Sequence, residues 1–259
     1  MKHKVALVTG GSRGIGKAIA VGLARNNMHV CLVARDEKIL IDSVNELQDI
    51  SSMEHMYVVG DVSRMGAESE IHSKILEKFS GVHILVNNSG GPPPGSFADV
   101  CDSDWERAIE NNFLSVVRFT KEFYPFMKSQ QWGRIINITS TVAKEPSGSM
   151  VLSASTRAAV SAYTKAISDE LAPNGVTINS ICPGSVLTDR LNSLVKEMAT
   201  RKNIKSEEQL QKSQSVIPMK RFADPVEIAD LAVFLASEKS SYMTGQSLVI
   251  DGGLTRGYF

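Results

Sequence analysis

Short runs that are apolar at nearly every position alternate along this chain with stretches in which apolar residues recur every three or four positions. The apolar runs fall at residues 5–8, 29–34, 56–59, 83–87, 134–139, 176–182 and 246–250. Their near-continuous apolarity fits strands buried on both faces, as in a parallel sheet. Between them, residues 14–25, 37–47, 68–79, 103–127, 151–171 and 225–236 carry helical periodicity, and 190–215 is polar and helix-prone. Strand alternating with helix predicts an α/β fold, a doubly wound parallel sheet with helices on both faces. No internal repeat and no linker of shifted composition interrupts the pattern. The GGPPPG patch at 90–95 is too short to separate domains, so a single domain over 1–259 is expected.

Composition narrows the function classes. Lys and Arg total 28 and so do Asp and Glu, a net charge of zero that supplies no electrostatic footprint for nucleic acid. A hydrophobic share of 42% with 22% charged residues excludes a disordered chain. No apolar run approaches the ~20 residues of a membrane span. The opening MKHKVALVTG passes from lysine into a strand-like run with no signal-peptide core, and a cytoplasmic protein is expected. Cys31, Cys101 and Cys182 lie far apart with no CxxC spacing, as suits free reduced thiols. The five histidines show no HxxxH or HExxH spacing, so no metal site is expected.

The first candidate chemistry is TGGSRGIG at 9–16, which follows the first strand and opens a helix. Gly10, Gly14 and Gly16 let the backbone turn sharply and approach a pyrophosphate at the helix N-terminus. At the end of the second strand, where an acid would accept from a ribose 2′-hydroxyl, the chain has Ala34 and then Arg35. Arg13 inside the glycine loop adds a second guanidinium. Two such groups fit a 2′-phosphate and favour NADP(H), with Asp36 an available partner for Arg35. Asp61, in GDV after the third strand, either accepts from the adenine amino group or caps a helix.

TGGSRGIG, GDV at 60–62, NNSG at 87–90, Asn112 in WERAIENNF, NITS ending at Ser140, CPG at 182–184 and the terminal TGQSLVIDGG together resemble the short-chain dehydrogenase/reductase family. Their order and spacing match over residues 5–253, most closely the 3-oxoacyl-acyl-carrier-protein reductase group. The resemblance implies a Rossmann core and a homotetramer or homodimer. It also implies cofactor contacts at Ser12, Ile15, Val62, Asn88, Gly90, Pro183, Gly184 and Thr188, and a substrate lid over 187–215. Leu191, Leu194, Val195 and Met198 then form the apolar stripe of a lid helix. The substrate it implies is a small carbonyl compound or alcohol.

The family's serine and asparagine correspond to Ser140 and Asn112. Aligning RAAV on the next helix with the family's KAAV places Ser153 at the catalytic tyrosine and Arg157 at the lysine. Tyr163 lies ten residues beyond Ser153, about 15 Å further along a helix, and belongs in the core or at a subunit contact. Lys144 is either an exposed loop lysine or a pocket residue. A serine hydroxyl is a far weaker acid than a tyrosine, and arginine does not readily release a proton. Loss of a positioned general acid costs ~10²–10⁴ in rate. The reading is a carbonyl reductase with an altered Ser–Arg centre, in which Ser140, Ser153 and a water on Asn112 relay the proton. The alternatives are a non-catalytic cofactor-binding scaffold or sensor, and a lyase or isomerase using Arg157 as an anion clamp.

Overall fold

The computed structural model describes residues 4–257. Seven parallel strands form one sheet in the order β3-β2-β1-β4-β5-β6-β7. They are β1 (Val5–Thr9), β2 (His29–Ala34), β3 (His55–Val59), β4 (Ile84–Asn87), β5 (Gly133–Ile138), β6 (Val176–Pro183) and β7 (Ser247–Ile250). The chain winds outward from β1 to β3, returns to pair β4 against the other side of β1, and winds outward again to β7. Strand order thus reverses between β1 and β4, and the loops leaving those two strands diverge and open a crevice at their C-terminal ends.

Helices cover both faces: α1 (Gly14–Arg25), α2 (Glu37–Ile50), α3 (Ala67–Leu76), α4 (Asp102–Ile109), α5 (Ser115–Ser129), α6 (Val151–Leu171), α7 (Asp189–Arg201), α8 (Ser206–Ser215) and α9 (Pro225–Ala236). Successive strand residues point to opposite faces, so the central strands feed two cores. Ala6, Val8, Val30 and Ile136 pack with Ile19 and Leu23 of α1, Leu40 of α2 and Ile228 of α9. Leu7, Cys31, Val33 and Ile135 pack with Ile71 of α3 and Phe119 and Phe123 of α5. This explains the unbroken apolar strand runs in the sequence. Among the described residues, no helix is long and apolar enough to cross a membrane and no cluster of side chains could hold a metal ion.

Two helical expectations are refined. The single helix expected over 103–127 is α4 and α5 joined by a π turn, Glu110–Leu114. The polar stretch 190–215 divides into α7 and α8. Hydrophobic periodicity is blind to the first difference, because one widened turn leaves the apolar face of α5 intact.

One row of buried polar groups crosses the centre of the sheet. Asn87, Asn137 and Ser180 are register neighbours on β4, β5 and β6. Asn87 Nδ2 donates to Asn137 Oδ1 at 2.8 Å, and Asn137 Nδ2 donates to Thr164 Oγ1 of α6 at 2.9 Å. Thr164 Oγ1 also lies 2.9 Å from Ser180 Oγ. Asn137→Ala removes both bonds of the central member and leaves the Asn87 amide and the Thr164 hydroxyl short of partners in a buried site. The expected loss of unfolding free energy is about 2–4 kcal/mol, read from urea denaturation monitored by circular dichroism.

Candidate active site

The glycine loop is built by steric exclusion. Gly10 and Gly14 sit at φ +57° and +53°, where a side chain is strained. A Cβ at Gly10 would lie 2.7 Å from both the amide and the carbonyl of Asn88, and one at Gly16 would collide with the Gly10 carbonyl oxygen. A Cβ at Gly14 would instead point at Thr188, 3.1 Å from its methyl group, so Gly14 keeps open the space between the loop and the N-terminus of α7. Arg13 occupies the N-cap of α1 without a side-chain cap bond, which leaves the first-turn N–H groups of that helix for a ligand. Ser12 is buried, and its carbonyl accepts from Ser43 of α2. Asn88 spends its side chain on the loop, donating to the Thr9 and Gly10 carbonyls at 3.2 Å each.

The arginines beside the loop are arranged differently from expectation. Asp36 pairs with Arg13, at 3.4 Å, and not with Arg35, because its carboxylate also accepts from Ile39 N as the N-cap of α2. Arg35 stands 3.9 Å from Asp61. Asp61 caps no helix. It accepts from Ser63 N and Oγ at 3.0 and 2.7 Å, while α3 begins after Gly66. Both ion pairs are exposed and therefore weak.

Across the crevice, the segment 89–95 leaves β4 and is held at several points. Asn111 Nδ2 and Asn112 Nδ2, consecutive residues of the π turn, both donate to Gly90 O at 2.8 and 2.9 Å. Asn112 Nδ2 also reaches Ser89 Oγ at 2.9 Å, while its Oδ1 is buried with no partner. Arg157 Nη2 donates to Ser89 O at 3.2 Å, and its Nη1 donates to Ile138 O at the end of β5. Arg190 Nη2 of α7 donates to Pro92 O at 2.6 Å. A Cβ at Gly90 would meet no atom within 4 Å, so this backbone faces open space. Thr9, Val62, Asn88, Ser89 and Arg157 line the crevice floor.

Ser153 and Arg157 share the buried face of α6, one turn apart, and are 5% and 6% exposed. Among the described residues, no hydrogen bond joins Ser140, Ser153 and Arg157 to one another. Ser140 Oγ accepts from Val142 N at the start of a 3-10 turn. The Arg157 guanidinium has two neutral carbonyls for acceptors, an unpartnered Nε and no carboxylate, and burial pushes its pKa down to about 10. Cys182 lies beside Thr139 Oγ1 at 3.1 Å. Burial pushes its thiol up, while the Thr139 bond and the charges of Lys144 and Arg157 pull the other way. Lys144 itself is exposed. Tyr163 lies half-buried with its ring edge-on to Phe113 at 6.2 Å.

A model of the short chain dehydrogenase family matches residues 4–199. This chain belongs to the short chain dehydrogenase family. It is 32% identical over 258 residues to the NADPH-dependent reductase BacG of Bacillus subtilis, covering 98% of each chain. It is 31% identical over 252 residues to the 3-oxoacyl-[acyl-carrier-protein] reductase FabG of Staphylococcus epidermidis, covering 97% of this chain and 99% of that one. Among solved structures, YwfH, an NADPH dependent reductase involved in bacilysin biosynthesis, superposes with a TM-score of 0.94 at 31% identity, over 99% and 100% of the two chains. A variant actinorhodin polyketide ketoreductase with NADPH superposes at 0.93 and 31%, over 97% of each.

For a short chain dehydrogenase, an oxidoreductase, three features of this crevice were not foreseen from sequence. Asn111 shares the Gly90 carbonyl with Asn112, and only the widened turn lets adjacent residues do so. Arg190 crosses to Pro92. A signal for it was present, since it is a cation in the first turn of a helix, the end whose dipole disfavours positive charge. Gly184 has a packing role, because a Cβ there would fall 2.9 Å from the Asp251 backbone; Pro183 before it ends β6. Of the expected stripe on α7, Val195 is buried but Met198 is 38% exposed, since the core-facing line runs through Val195 and Ala199.

Arg157 costs stability where it stands. Burial pulls its pKa down to about 10, so the charged form is held at a desolvation cost that two bonds to carbonyls offset only in part. Arg157→Met is therefore expected to leave unfolding free energy unchanged or to raise it by up to about 2 kcal/mol. A loss above about 1 kcal/mol in urea denaturation contradicts this.

Proposed function

We propose that this chain is an NADP(H)-dependent carbonyl reductase whose chemical centre is formed by Ser140, Ser153 and Arg157, with Asn112 holding a water. The observation that carries the reading is the Arg157 guanidinium, buried at the strand-order reversal one helical turn from Ser153, with no acid to neutralise it. A positive charge desolvated in advance stabilises an oxyanion more strongly than it would in water.

The cofactor fits the residues present. The open N-terminus of α1 and the backbone of Gly10, Ser12, Gly14, Ile15 and Gly16 suit a pyrophosphate. Arg13 and Arg35 exchange weak exposed pairs for charge-assisted bonds to a 2′-phosphate. Asp61, Val62, Asn88, Gly90, Pro183, Gly184 and Thr188 border the rest of the cofactor. When bound, NADP(H) supplies or accepts the hydride. Ser140 donates a hydrogen bond to the substrate oxygen and Arg157 balances the charge that develops there. The unpartnered Asn112 Oδ1 accepts from a water that passes the proton by way of Ser153. The segment 187–215 acts as a lid, tied to the opposite arm by Arg190 at Pro92 and Arg201 at Pro94. A homodimer or homotetramer is supported by the sheet edge at β7, where Val249 stands exposed.

Calorimetric titration is expected to show NADPH binding at least about tenfold tighter than NADH, from one charge-assisted contact of ~1.4 kcal/mol. Arg13→Ala with Arg35→Ala is expected to erase the difference; equal binding in the unaltered protein excludes the NADP(H) preference. Steady-state NADPH oxidation over a panel of ketones and 3-oxoacyl thioesters tests the chemistry. Ser153→Ala is expected to lower kcat by about 10-fold or more with NADPH affinity nearly unchanged, because the hydroxyl acts mainly in the transition state. Identical rates remove Ser153 from the mechanism. Tight NADPH binding with no turnover across the panel favours a scaffold.

A further inference from the structure

We propose that the substrate is a carbonyl compound bearing a carboxylate, and that Arg190 takes its negative charge. The inference rests on the reductase reading only in placing a substrate at this crevice.

Two guanidiniums hold one short segment. Arg157 binds the carbonyl of Ser89 and Arg190 the carbonyl of Pro92, three residues on. Between them lies Gly90, open to the crevice, and a Cβ at Gly91 would stand 3.9 Å from Arg190 Nη2. Both cations hydrogen-bond only to neutral backbone oxygens. Among the described residues Pro92 O is the one acceptor of Arg190, whose other guanidinium nitrogens carry no protein bond. The acid nearest it in charge, Glu197, is engaged with Arg201 at 2.8 Å. Arg190 also sits second in α7, where the helix dipole repels it.

The surplus is local. Over the whole chain positive and negative side chains balance, at 28 each. Yet Arg190 is close enough for Arg157 to feel its like charge. Arg157 and Arg190, neither in an ion pair among the described residues, are unfavourable neighbours until an anion arrives. The cofactor's own phosphates have partners at the far end of the crevice, in the glycine loop, the α1 N-terminus, Arg13 and Arg35. Arg157 is committed to the oxygen that reacts. Arg190, at the mouth and with free nitrogens on a planar fork, remains to hold a fixed carboxylate in a bidentate pair.

Binding to the enzyme–NADPH complex is measured by the change in NADPH fluorescence, with malonate and its neutral isostere malonamide as probes. Turnover is compared for acetoacetate and methyl acetoacetate. Malonate is expected to bind at least about tenfold tighter than malonamide, and the anion to be preferred by a similar factor in kcat/KM. Arg190→Met is expected to reduce both ratios to within about twofold, and Arg190→Lys to retain part of them. Equal binding of the two probes by the unaltered protein overturns the proposal, as does a preference that persists in Arg190→Met. Loss of NADPH affinity by about tenfold or more in Arg190→Met also overturns it, assigning the residue to the cofactor. If neither carbonyl probe nor any compound in the panel is reduced but malonate still binds in an Arg190-dependent way, the reductase reading fails and the anion site stands.

Discussion

The rotation of α6 about its own axis is the constraint on which the crevice depends. Thr164 fixes it, since its hydroxyl lies 2.9 Å from both Asn137 Nδ2 and Ser180 Oγ, inside a row of buried polar groups. Ser153, Arg157, Val160 and Thr164 follow one another at spacings of four, three and four, and so lie along one face. Holding Thr164 to the sheet therefore aims Arg157 at the ends of β4 and β5. A helix held by apolar contacts alone could roll with little penalty; one held by satisfied buried hydrogen bonds cannot without leaving groups unpaired.

Most of the architecture was legible because the central strands are buried on both faces and read as apolar runs. His29–Ala34, Gly14–Arg25, Val151–Leu171 and Pro225–Ala236 have the boundaries the pattern indicates. What escaped was local hydrogen bonding that periodicity does not encode. Examples are the π turn at Glu110–Leu114, the choice of Arg13 over Arg35 by Asp36, and the crossing of Arg190 to the proline arm. The glycine loop could be read as a motif, but the division of labour within it could not. Gly10 and Gly16 are small because Asn88 and the loop backbone press on them, while Gly14 is small because it faces the Thr188 side chain across the loop.

The crevice sets function against stability in one residue. A methionine in place of Arg157 would be free of the burden of a desolvated charge. The guanidinium is instead lodged where its acceptors among the described residues are the carbonyls of Ile138, at the end of β5, and of Ser89, just past β4. It thereby ties β5 to the loop after β4 while keeping its charge unneutralised. The same logic extends to the polar atom Asn112 Oδ1, which is buried and left without a partner on the opposite wall. Groups left unsatisfied in an otherwise well-satisfied interior mark where a ligand or water completes the structure.

The widened turn between α4 and α5 bears on how the gene can change. Side chains in a regular α-helix advance by about 100° per residue, so neighbours such as Asn111 and Asn112 would diverge and only one could reach Gly90 O. The extra residue in Glu110–Leu114 brings both to that oxygen. Deleting a single codon there would leave a sequence that still reads as an unbroken amphipathic helix. Yet it would swing Phe119, Phe123 and Met127 off the core by about a quarter-turn or else strip one amide from the loop. The reading frame of this segment is thus locked from both ends, by packing on one side and by the Gly90 carbonyl on the other. Length polymorphism would be tolerated in the exposed connections but not in this helix, although nothing in its composition sets it apart.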